Sequence, residues 1–113
     1  MTDTEINRRL ALAIGYLPDH VASLGNHVKV WRGPGPINGL DGWKLFDHTD
    51  YRVVGPIAER YNCFPYKFPN AAASLKWMWA AHAFNEHGNI CRFFAPTPQR
   101  AIALAAIAKL EKV

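Results

Sequence analysis

The chain has 113 residues, half of them apolar, and a net charge of +4. That length suits one domain over residues 1–113, burying about two-thirds of the surface exposed when unfolded, and leaves no room for a second. The basic excess favours an anionic partner (a nucleotide, nucleic acid or acidic protein surface), with ordinary solvation as the alternative, and no basic run exceeds Arg8-Arg9.

Thr2-Asp3-Thr4-Glu5 matches a capping box, and Ile6, Leu10, Ala13 and Ile14 recur at helical spacing until Gly15, which predicts a first helix over residues 4–14. The polar N-terminus and the absence of any run near the ~18 apolar residues of a span predict neither a signal peptide nor a transmembrane helix. After a turn at Pro18-Asp19, residues 27–32 alternate as a strand, with Val28 and Val30 on one face and Lys29 and Trp31 on the other. Residues 33–42 carry four glycines and two prolines and form a loop. The loop lacks the Gly-Lys-Ser/Thr ending of a phosphate-binding loop, although its glycines permit a close backbone approach to a ligand, with Trp31 and Arg32 at its base. Residues 43–46 return as a short partner strand.

Asp47, Thr49 or Asp50 caps a second helix through Tyr61 that buries Val53, Val54, Ile57 and Tyr61. Pro56 either kinks this helix or starts it, because proline removes one intrahelical bond and crowds the carbonyl of Arg52. Residues 63–73, with Pro65 and Pro69, read as irregular or edge-like. Residues 75–84 make a central strand, Asn85-Glu86-His87-Gly88 a hairpin turn and residues 90–95 the returning strand. Thr97 then caps, and Pro98 opens, an alanine-rich third helix. The predicted class is α+β: about four antiparallel strands in the order α-β-β-α-β-β-α, covered by helices.

Arg92 and Arg100 flank the join between the last strand and the third helix, and guanidinium forks suit phosphate. Near them lie Asn85, Asn89 and Phe84, the last a base-stacking candidate. Solvated arginines and a core role for the aromatics are the competing readings, and Trp77 and Trp79 favour the core. His82, His87 and Cys91 lack a fourth ligand at convincing spacing, so no metal or other cofactor is expected. Cys63 and Cys91 read as small buried hydrophobes of a reducing cytoplasm. The carboxylates Asp41, Asp47 and Asp50 sit where turns and caps explain them, and nothing compels an enzyme.

Ile6-Asn7-Arg8-Arg9-Leu10-Ala11 leading to Gly15-Tyr16, then Tyr51-Arg52-Val53-Val54-Gly55-Pro56-Ile57-Ala58-Glu59-Arg60, Trp77-Met78-Trp79-Ala80 and Ala95-Pro96-Thr97-Pro98-Gln99-Arg100-Ala101-Ile102-Ala103 together resemble the phage ABA-sandwich domain family. The resemblance spans most of the chain, implies a sheet covered by helices, and supports a helix running through Gly55-Pro56. The chain also looks like phage anti-defence sponges, which sequester nucleotide immune signals. Together with the positive charge and the residue cluster, that resemblance points to a non-catalytic protein of the host cytoplasm, with Arg92, Arg100 and backbone amides on phosphate and Phe84 or Trp31 on a base; a small sheet domain encloses a ligand better between subunits than alone, so a homo-oligomer is expected. The alternative is a basic inhibitor that docks on a host defence protein through residues 33–42, in the manner of an anti-CRISPR. Nonspecific nucleic-acid binding ranks below both because acidic residues interrupt the basic ones.

Overall fold

The structure, a computed structural model, describes residues 2–31, 42–69, 77–84 and 90–111. Its class is α+β, with three α-helices and two three-stranded antiparallel sheets among these residues. The chain divides into two compact units, Met1–His48 and Thr49–Val113. No helix among the described residues is long and apolar enough to cross a membrane.

In the first unit, helix α1 spans Asp3–Ala13, and the Thr2 hydroxyl accepts the Glu5 N–H at 3.2 Å, as the capping box requires. Gly15, at φ +115°, ends the helix in a conformation that a side chain disfavours. A 3₁₀ turn at Pro18–His20 leads into strands β1 (Val21–Leu24), β2 (His27–Trp31) and β3 (Trp43–Leu45), paired in that order. Helix α1 contacts β1 and β2. Ile6, Leu10 and Ala11 are fully buried, as are Val28, Val30 and Phe46 to within 1%. Each large aliphatic side chain so buried contributes about 1.5–3 kcal/mol of transfer free energy.

A buried polar contact closes this unit. Asn7, on the buried stripe of α1, is 3% exposed and His48 is 1% exposed. The Asn7 Oδ1 accepts the His48 backbone N–H at 2.7 Å and lies 2.7 Å from His48 Nδ1, so that nitrogen carries the proton. The His48 Nε2 lies 3.7 Å from the Asp3 carboxylate.

In the second unit, helix α2 spans Tyr51–Tyr61 and passes through Pro56. Of the three candidate caps, Asp50 is the one used: its carboxylate accepts the Arg52 N–H at 2.9 Å and receives a fork from the Arg52 guanidinium. That fork holds the Asp50 carboxyl below its ordinary range. Helix α2 buries Val54, Ile57 and Ala58 and ends at Asn62, whose left-handed φ of 54° asparagine tolerates well. Strands β4 (Pro65–Pro69), β5 (Trp77–Phe84) and β6 (Ile90–Ala95) follow, and helix α3 covers Pro98–Leu110. Thr97 caps α3 through the Arg100 N–H at 3.3 Å.

Helix α3 is the hub. It contacts all three strands of its sheet and α2, and Ala101, Ile102, Ala103, Ala105, Ala106 and Ile107 are all buried. Burial on more than one side is what an all-round apolar composition demands. The Lys109 ammonium donates to the Tyr61 carbonyl at 2.8 Å, placing a cation at the carbonyl end of α2.

The structure departs from the expected four strands by adding one to each half. Strand β1 is joined to β2 by Gly25-Asn26, a two-residue hairpin with Gly25 at φ +60°, and it was hidden by the brevity of Val21–Leu24. Strand β4 is an edge strand with a proline at each end, where a missing donor costs least.

Cys63 is fully buried, with its Sγ 4.0 Å from the Ile102 carbonyl oxygen. Burial pushes its thiol pKa up, the positive Lys109 opposing in part. A raised pKa means that the fold favours the protonated thiol. The contribution to stability is complete below the thiol's unfolded pKa and is lost as pH rises through its folded value. The urea midpoint should therefore fall between pH 7 and pH 10 more in the wild type than in Cys63→Ala, and equal slopes would refute this.

Candidate anion-binding sheet face

The candidate site is built on the second sheet. Directly opposed residues share a face, so pairing of Tyr66 with Ala80 and of Ala80 with Phe94 lays Tyr66, Ala80 and Phe94 in one row across β4, β5 and β6. His82 and Arg92 form the next row on the same face. Ala80 is fully buried between its two aromatic neighbours, whereas Phe94 is 42% exposed and Arg92 is exposed.

Tyr66 reaches diagonally across the strands. Its hydroxyl lies 2.6 Å from His82 Nε2, and the two rings meet edge to face with centroids 5.0 Å apart. The Arg92 Nε donates to the same His82 nitrogen at 3.2 Å. A guanidinium N–H can only donate, so His82 Nε2 accepts, the imidazole is neutral, and its proton is on Nδ1. The Tyr66 hydroxyl and the guanidinium then share the single lone pair of that nitrogen, in a three-centre bond whose shorter arm is the hydroxyl's. These bonds orient the guanidinium plane through Nε. The two terminal nitrogens of a guanidinium are the pair whose spacing matches two phosphate oxygens.

No family model, curated protein or solved structure matches this chain. Its function is therefore read from the chain's own geometry.

The expected site residues fall in different places. Arg92 belongs to the row just described. Arg100 is half-buried in the first turn of α3, where its backbone N–H is taken by Thr97. With Pro98 lacking a donor, the backbone at that helix start offers an anion less than the sequence promised. Phe84 ends β5 in register with Ile90, and its side chain lies outside what the structure describes, as do Asn85, Asn89, Arg32 and residues 33–41 of the loop. Trp31 belongs to the first unit, half-buried, with its ring 5.0 Å from that of His20.

Tyr66, His82 and Phe94 are the participants that sequence reasoning missed. Tyr66 lies in a stretch that reads as irregular or edge-like, with no face assigned to it, and His82 is weighed only as a metal ligand. Spacing carried part of the signal, since Ala80 and His82 share parity on β5, as do Arg92 and Phe94 on β6. The cross-strand register that joins the two pairs cannot be read from one strand.

Proposed function

We propose that the chain is a non-catalytic binding protein that captures a small phosphorylated nucleotide, as an anti-defence sponge does. The single observation that supports this most is the Arg92 guanidinium held by neutral His82 on a sheet face that also exposes Phe94. Arg92 takes phosphate and Phe94 offers a ring for a base, replacing Phe84 and Trp31 in the stacking role. Stacking on an aromatic contributes about 1–3 kcal/mol in comparable single-stranded sites, so phosphate and base together give useful affinity. The face is open rather than enclosed, so a homo-oligomer that closes over the ligand is part of the proposal. An activity in the host cytoplasm is part of the same proposal, and its support is the resemblance to phage proteins.

The test is native mass spectrometry of the purified protein, followed by heat release and mass analysis of the filtrate. A nucleotide in the filtrate, retained by the wild type and lost by Arg92→Ala, is the expected result. Losing a hydrogen bond to a charged group costs about 1.5–3 kcal/mol, so affinity should fall by about 10- to 100-fold. A monomer that releases no nucleotide, or an Arg92→Ala variant that holds it as well as the wild type, refutes the reading. In the first case, retention of a host protein on the immobilised chain would favour the defence-protein inhibitor instead.

A further inference from the structure

The first sheet has a second face that helix α1 does not use. Register places Ala22 opposite Lys29, Lys29 opposite Leu45, Leu24 opposite His27, and Trp31 opposite Trp43, so all of these share the face away from Val28 and Val30. It is apolar yet uncovered: Leu24 is 57% exposed and Leu45 is 54% exposed. Ala22, Leu24, Lys29 and Trp43 line an open hollow of about 290 Å³ there.

We infer that this hollow binds a small planar aromatic ring carrying an anionic group. Size, wall chemistry and charge agree. A volume of about 290 Å³ lies at the lower end of the range for small-molecule sites, enough for one ring system and not for an extended ligand. Trp43 offers an aromatic wall, Leu24 an aliphatic one, and Ala22 leaves the floor between them shallow. Lys29 stands between Ala22 and Leu45, and no ion pair to it is found among the described residues. An ammonium at the centre of an apolar patch selects an anion over a neutral ring. It also disfavours a second copy of the chain as occupant, since a two-fold contact centred on this face would bring Lys29 against its own counterpart.

This site is separate from the Arg92 face, and its ligand is recognised by ring and charge together. A nucleoside phosphate and an aryl carboxylate both carry that chemistry, so both serve as probes. Adenosine monophosphate, indole-3-acetate and inorganic phosphate would each be titrated into labelled full-length protein while backbone amide shifts are followed. Saturable shifts at Ala22, Leu24, Lys29 and Trp43 with either aromatic anion, absent with phosphate alone, are expected. Lys29→Gln, an exposed substitution that leaves the fold intact, should weaken this binding about 10-fold, and Arg92→Ala should leave it unchanged. Indole-3-acetate alone would mark a carboxylate site and adenosine monophosphate alone a phosphate site. No shift at these residues with either aromatic probe overturns the inference, as do equal shifts with inorganic phosphate or a dimer that Trp43→Ala dissociates. Each of these is read at residues 22–43 and so is distinguishable from failure of the Arg92 site.

Discussion

Replacing Asn7 by leucine lowers the stability of the chain by about 2–5 kcal/mol, and does so through His48. The Asn7 Oδ1 is the acceptor for two His48 donors, the backbone N–H and Nδ1–H, each at 2.7 Å. Both residues are almost wholly buried. Leucine has the same number of side-chain heavy atoms, branched at the same carbon, and excludes water, so both donors lose their partner where no solvent replaces it. An unmatched buried donor costs about 1–3 kcal/mol, and two together make a large fraction of a small protein's total stability. The double variant Asn7→Leu with His48→Phe removes the side-chain donor as well and leaves only the backbone N–H orphaned. It should recover about 1–3 kcal/mol of the loss. Urea unfolding of the four species forms the cycle. Additive losses from the two single substitutions would show that the pair does not act as a unit.

That contact shows where a single sequence stops being legible. Local signals were strong at helix ends: Thr2 and Thr97 cap the helices for which their spacing selects them, and Pro98 opens α3. Asn7, by contrast, lies between Ile6 and Arg8 with no local signal to mark it as buried, and its acceptor role depends on a partner 41 residues away. The same holds at the candidate site. Alternation along β6 separates Arg92 from Ala95, but the approach of Tyr66 and Arg92 to one nitrogen of His82 depends on the register of three strands. Lys29 and Trp31 were legible as sharing a face, because that follows from parity within one strand. Trp43, Ala22 and Leu24 joined them only through pairing of β1 and β3 with β2. Helix α2 illustrates a third limit. Propensity argues against Pro56, yet the helix continues through it, because Arg52, whose carbonyl loses its partner, is exposed, and because Val54, Ile57 and Ala58 gain burial.

The second large effect is expected in the second unit. Ile102→Ala should cost about 2–5 kcal/mol, the range for deleting three buried carbons where the surroundings close only partly. Ile102 is fully buried on α3, the helix that meets all three strands of its sheet and α2. Relaxation is restricted there. Its neighbours along the helix, Ala101, Ala103, Ala105 and Ala106, are buried alanines with no flexible side chain to swing into the void. Cys63 approaches the backbone at the same position, which further limits movement of the helix. The cost should therefore lie in the upper half of that range. Ile102→Val, which removes one carbon, should cost about 0.5–1.5 kcal/mol. If the shape of this packing matters beyond its volume, Ile102→Leu will also destabilise, by less than about 1.5 kcal/mol, because the alanine-lined groove accepts a different branching only by shifting the helix. Thermal and urea denaturation of the three variants gives the series. An Ile102→Ala loss below 1 kcal/mol would mean that α3 settles onto the sheet to fill the space, and that it is not a rigid hub.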